Sequence, residues 1–132
     1  MAKILQDIWI LESTSGIVLF NRFFDRSFDT QLFGGLMSAL NTFAEILANE
    51  GLSSFEFSKK RCGIIKRKNI LFVGNASIKT REKRIIDELY KISDDFFDKY
   101  NDILECWYGD VTAFSNFGLE IQDSLKRSKS RF

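Results

Sequence analysis

The stretch that most constrains the fold is Ile4 to Leu11, ILQDIWIL, apolar except at Gln6 and Asp7. A strand alternates its side chains between two faces. Strict alternation puts Ile4, Ile8 and Ile10 on one side and Leu5, Trp9 and Leu11 on the other. Both faces then need cover, as for a central strand with helices above and below. Ser13-Thr14-Ser15-Gly16 reads as a turn, and Ile17 to Phe24 returns as a second strand.

A helix is expected next. Asp29 stands as its N-cap, with Phe28 and Phe33 at the hydrophobic-staple positions. Leu32, Leu36, Leu40, Phe43 and Leu47 form a stripe of helical period, expected to face the sheet. Gly51 reads as the C′ glycine, with Leu52 reaching back to Leu47. A three-strand meander follows: Leu52 to Lys60, Cys62 to Lys66 and Ile70 to Val73, the last two joined by Arg67-Lys68-Asn69. Gly74 to Ser77 is expected to leave the sheet. A long helix from Arg81 to Trp107 carries Ile85, Leu89, Ile92, Phe96, Tyr100, Ile103 and Trp107 on its main stripe, broad enough to touch two neighbours. Asp110 can cap a last helix that turns Phe114, Phe117, Ile121 and Leu125 inward.

The fold class is therefore α/β, in the order strand, strand, helix, three strands, helix, helix. Five antiparallel strands are expected between one helix on one face and two on the other. Residues 1–125 form one domain, and 126–132 a basic, serine-rich tail expected to fray. A hydrophobic content of 45%, with 14 Phe, suffices for a core at this length.

This order, together with the opening hairpin IWILESTSGIVLFNRFF, the first helix LFGGLMSALNTFAEIL and the long-helix end FFDKYNDILECWYGD, resembles the longin fold, related to roadblock and profilin-like folds. The Phe-, Ile- and Lys-rich composition is similar to longin-like proteins of archaea related to eukaryotes. The resemblance implies a sheet in the order second, first, fifth, fourth, third strand. It also implies protein binding rather than chemistry. Longin and roadblock domains are platforms for small GTPases and parts of trafficking, adaptor and tethering assemblies, commonly as dimers. No catalytic residue carries over.

The residue inventory agrees with a non-enzyme. Histidine is absent, which removes Ser-His-Asp and Cys-His nucleophiles and the usual zinc sets. No GxxxxGK[ST] or GxGxxG sequence occurs, and no cofactor or metal is expected. Cys62 and Cys106 make neither a disulfide framework nor a zinc site. Asp87, Asp94, Asp98, Asp102 and Glu105 line one side of the long helix and read as its solvated face rather than an acid-base cluster. Gln6 and Asp7 interrupt any signal-peptide core, and no apolar run approaches bilayer length. Ala2 excludes N-myristoylation, and RSKSRF is no prenylation box. A cytoplasmic location is expected, with membrane association only through partners.

Two surfaces stand out. Lys59, Lys60, Arg61, Lys66, Arg67 and Lys68 belong to a run to Arg84 in which Glu82 is the only acid, followed by an acidic stretch to Asp123. This basic patch either steers an acidic partner or protects edge strands from edge-to-edge pairing. Nucleic acid is not expected, because the region lacks aromatics for stacking bases. The second surface is the helix face opposite the leucine stripe: Gln31, Gly34, Gly35, Ser38, Asn41, Thr42, Glu45 and Asn49, small and nearly uncharged. Gly34, Gly35, Ser38, Asn41 and Thr42, with Phe20 and Arg22 on the neighbouring edge strand, are expected to form a dimer interface. The competing reading is that the glycines let the helix sit close to its own strands.

The function expected is a dimerising platform that binds or regulates a small GTPase in trafficking-type processes, as a homodimer or with a longin-like paralogue. The alternatives are a structural subunit of an adaptor or tethering complex without GTPase contact, or a profilin-like ligand sensor.

Overall fold

The computed structural model describes residues 4–22, 30–48, 54–56, 59–105 and 111–122. Strands β1 (Asp7–Glu12) and β2 (Val18–Arg22) form the opening hairpin, and helix α1 (Thr30–Ala48) follows. Strands β3 (Ser54–Glu56), β4 (Lys60–Arg67) and β5 (Ile70–Ser77) form the meander, and helix α2 spans Glu82–Glu105. A 3-10 turn (Val111–Phe114) and a single α turn, α3 (Phe117–Glu120), close the described chain. The sheet is antiparallel throughout, in the order β2-β1-β5-β4-β3, as the resemblance implied.

β1 is buried on both faces. Trp9 and Leu11 join Val18, Met37, Ile64, Leu71 and Val73 in a core beneath α1. Ile8 and Ile10 join the larger core under α2, with Phe72, Phe96, Phe114 and Phe117. Leu5 departs from the expected alternation. The chain bends at Gln6, and Leu5 turns to the α2 side, within reach of the position a Cβ on Gly74 would take. A bulge in β2 makes a similar adjustment. Ile10 pairs with Phe20 and Leu11 with Val18, leaving Leu19 as the extra residue. Leu19 and Phe20 therefore both enter the α2-side core while Val18 faces α1.

β5 is longer than its sequence suggests. Gly74 to Ser77 stays in the sheet, because Gly74 pairs with Ile8 on one side and Gly63 on the other. The absence of side chains at this glycine pair admits α2. A Cβ on Gly63 would lie 2.7 Å from Ile85 Cγ2, and one on Gly74 3.1 Å from Leu89 Cδ2. The β4–β5 turn needs only Lys68 and Asn69, both left-handed at φ +52° and +66°, the conformation of a type I′ hairpin.

The expected last helix is divided. Ser115-Asn116 separates the 3-10 turn from α3. Phe114, Phe117 and Ile121 still face inward, with Phe117 edge-to-face against Phe20 and Phe96 at 5.6 and 5.2 Å. Asp110, Leu125 and the tail lie outside the described residues, as do Phe28, Asp29, Asn49, Gly51, Leu52, Cys106 and Trp107.

The orientation of α1 reverses the expectation. The face turned to the sheet carries Phe33, Gly34, Met37, Ser38 and Asn41, with Phe33 stacked on Trp9 at 4.1 Å. The helix backbone passes the β1–β2 turn so closely that a Cβ on Gly34 would stand 2.3 Å from the Gly16 carbonyl oxygen. Ser38 Oγ donates a hydrogen bond to the Ser13 carbonyl. Gln31 lies beside edge strand β2. It accepts from the Val18 amide at 2.9 Å and donates to the Val18 carbonyl at 3.3 Å, taking the place of a neighbouring strand there.

The two adjacent glycines should respond oppositely. Gly34→Ala forces a methyl against backbone and should cost about 1–3 kcal/mol. Gly35, which has open space around its Cβ position, should gain about 0.8–1 kcal/mol as Ala from helix propensity. Urea denaturation of the two variants checks the sign of each.

Cys62 gives a second expectation. Burial, reinforced by the nearby negative charge of Asp7, pushes its thiol up to about 12. At pH 8 only about one molecule in ten thousand carries the reactive thiolate. Iodoacetamide should leave the Cys62 peptide unmodified in the folded protein and label it fully in urea, as read by peptide mass spectrometry.

Candidate interaction surface

A helix with one apolar stripe ordinarily buries it against its own sheet. In α1 the geometry at Gly34 prevents this, and the stripe is left in solvent. Leu32 is 74% exposed, Phe43 60%, Ile46 76% and Leu47 71%, and Leu36 and Leu40 are exposed beside them. The residues expected to be outermost divide. Gly34, Ser38 and Asn41 are buried against the sheet, whereas Gly35 and Thr42 remain exposed at the margin of the apolar stripe. Phe20 is buried in the α2-side core and Arg22 is half-buried beyond it on β2, where burial lowers the guanidinium and the charge of Asp7 opposes the shift. Gly34, Ser38 and Asn41 thus serve close packing within the chain, and the outward surface is the leucine-rich one.

A signal for this was present in the sequence. Glu45 is the only charged residue from Thr30 to Ala48. A surface helix with a single polar face usually charges that face, so the near absence of charge on either side of α1 sets it apart from an ordinary solvated helix. Even Glu45 is neutralised within the chain, by Lys66 at 2.9 Å, and the hydrogen bond from Lys66 holds its carboxyl below the ordinary range.

The basic run does not form one patch. Alternation along β4 directs Lys60 and Lys66 toward the α1 side and Arg61 and Arg67 toward the α2 side. Each meets a carboxylate: Lys60 with Asp7 at 3.7 Å, Arg61 with Glu56 at 3.0 Å, Lys66 with Glu45 at 2.9 Å and Arg67 with Asp94 at 2.6 Å. Arg67 also reaches Ser93 and lies over the ring of Phe97 at 5.5 Å. Lys59 and Lys68 are exposed. On α2, Asp87, Asp94, Asp98, Asp102 and Glu105 are all exposed, and among the described residues no acidic or sulfur cluster has the arrangement of a metal site. No described helix is long and apolar enough to cross a membrane.

A five-stranded antiparallel sheet in this order, with one helix on one face and the long helix on the other, is the longin/roadblock-like fold. Solved structures share it. MglB of Myxococcus xanthus is similar with a TM-score of 0.52 and 13% identity, over 72% of this chain and 85% of that one. A Roadblock/LC7 domain from Streptomyces avermitilis is similar with a TM-score of 0.52 and 10% identity, over 71% of this chain and 87% of that one. No protein-family model matches the sequence, and no curated protein matches it.

The Lys66–Glu45 pair ties β4 to α1, and its sign can be tested by charge exchange. Lys66→Glu should destabilise the fold by setting two carboxylates together, and adding Glu45→Lys should restore it. Because the Glu45 carboxyl is held low by its partner, the contribution of the pair is fully present above the ordinary carboxylate range and is lost as pH falls from that range through the lowered value. Thermal melts of the two single variants and the double at pH 7 and pH 3 check both statements.

Proposed function

We propose that the chain is a non-enzymatic, cytoplasmic interaction module that pairs through the outer face of α1 and serves as a platform binding or regulating a small GTPase. The observation that carries this reading is the α1 stripe. Side chains at these exposures present on the order of 600 Å² of apolar surface, the upper end for a patch on a typical monomer. That is most of the roughly 800 Å² per partner that a stable interface buries.

A second copy is the occupant that the chemistry favours. The face is uncharged, so an isologous contact meets no like-charge repulsion, and a two-fold pair is the commonest closed assembly. The longin/roadblock-like fold supports the GTPase part of the reading, since domains resembling this one act as GTPase platforms.

Light scattering after size exclusion should give about twice the 15.3 kDa chain mass. Leu36→Arg and Phe43→Arg should each return a folded monomer, because neither side chain enters the core. Ser38→Arg would not report on the interface, since Ser38 is buried against the β1–β2 turn. A monomer at high concentration, unchanged by Leu36→Arg, would overturn homodimer formation. The GTPase part is tested separately, by capture from the source cell on immobilised wild-type protein and on Leu36→Arg, with retained proteins read by mass spectrometry. Small GTPases should be enriched on the wild type. The purified chain alone should release no phosphate from GTP or ATP; turnover abolished by one substitution in this chain would overturn the non-enzymatic reading.

A further inference from the structure

At the end of the sheet farthest from the β1 N-terminus, on the α2 side, lies a cleft of about 380 Å³. This is within the range of small-molecule sites, roughly 300–1,000 Å³. One wall is the end of the sheet, where Glu12 of β1 pairs with Ile70 of β5 and the Lys68-Asn69 turn folds over. The other is the last turns of α2, where Phe97, Asn101 and Leu104 share one helix face. Leu19, the bulged residue of β2, completes the apolar lining.

The charges around this cleft differ from those elsewhere on the sheet. The four cations of β4 all have carboxylate partners. Lys68, on the next turn, has none among the described residues; its ammonium sits over the Phe97 ring at 4.8 Å. Glu12 and Glu105 line the same cleft, and neither has a cationic partner among the described residues. Among the described residues, the Glu12 carboxylate accepts only from the Ser15 hydroxyl, at 2.6 Å. A cation and two carboxylates therefore face one opening without pairing with each other, beside an apolar and aromatic lining.

We propose that this cleft binds a free apolar α-amino acid. The ligand carboxylate would take Lys68 and the amide N–H groups of Asn69, and the ligand ammonium would take Glu12 and Glu105. The side chain would lie on Leu19, Ile70 and Leu104. A ligand carrying both charges supplies both missing counter-ions at once, whereas an anion or a cation alone leaves one set unpaired. Asn101 offers a further donor and acceptor at the mouth. The inference is independent of pairing through α1, which lies on the other face of the sheet.

The test is a calorimetric titration of the full chain with L-phenylalanine, 2-phenylethylamine, 3-phenylpropionate and glycine. L-phenylalanine should bind at least about tenfold more tightly than each of the other three, which lack one charge or the side chain. Lys68→Asn, which suits the left-handed turn, should weaken L-phenylalanine and 3-phenylpropionate but not 2-phenylethylamine. Glu105→Gln should do the reverse, weakening L-phenylalanine and 2-phenylethylamine but not 3-phenylpropionate. Circular dichroism confirms folding of each variant, and Glu105→Gln alone decides if the turn variant does not fold. Binding should survive Leu36→Arg, which separates this inference from the assembly reading. No heat with L-phenylalanine up to about 10 mM, equal binding of either singly charged analogue, or indifference to Glu105→Gln would overturn the proposal.

Discussion

The approach of α1 to the β1–β2 turn governs which face of the helix is left in solvent. At Gly34 the helix backbone rests on the Gly16 carbonyl with no room for a methyl group, and Gly16 is itself left-handed at φ +79°. Once that contact is made, the rotation of the helix about its axis is set. Phe33 meets Trp9, Met37 enters the core, and Ser38 ties to Ser13. The residues roughly opposite, beginning with Leu32 and Leu36, then have only solvent or another protein to pack against. A helix interior ordinarily disfavours glycine by about 1 kcal/mol. Here the close packing it permits offsets that cost, and the exposed stripe is a consequence of the same geometry.

Much of the fold is legible in the sequence because local and long-range signals coincide. The double-sided apolar content of Ile8 to Leu11 demands a central strand, and β1 occupies that place between β2 and β5. The stripe from Ile85 to Tyr100 is the buried face of α2, since the acids opposite it leave one orientation without penalty. α1 lacked that second constraint. With Glu45 its only charge, either face could have been inward on hydrophobicity alone. The deciding contact joins positions distant in sequence, Gly16 with Gly34 and Ser13 with Ser38. Leu5 and Leu19 were hidden for a related reason: a bend and a bulge each shift the period of two that any strand assignment assumes.

The charge pattern teaches the same point at the level of electrostatics. Counted along the chain, the segment around β4 is strongly basic. Folded, its alternate side chains go to opposite faces, and each finds an acid contributed by another element: Asp7 of β1, Glu56 of β3, Glu45 of α1 and Asp94 of α2. The solvent-accessible pairs among them contribute little individually, about 0–1 kcal/mol, whereas Asp7 is buried. Their larger effect is to remove the long-range field that a linear charge count suggests. The residual positive character of that region rests on the exposed Lys59 and Lys68 rather than on six residues acting together.

The sheet also separates what its two faces can do. If two copies join through α1, each contributes a surface without charge, and the contact is held by desolvation and packing rather than steering. The α2 side stays outward in such a pair, carrying the exposed acids of the helix and the cleft beside Lys68. β5 lies at the centre of the sheet and contributes to both cores, Leu71 and Val73 beneath α1 and Ile70 and Phe72 beneath α2. Any coupling between the cleft and the α1 side would have to pass through this strand. In a close-packed interior, displacement of Ile70 is resisted by the neighbours of Leu71. A rigid central strand therefore favours independent behaviour of the two faces.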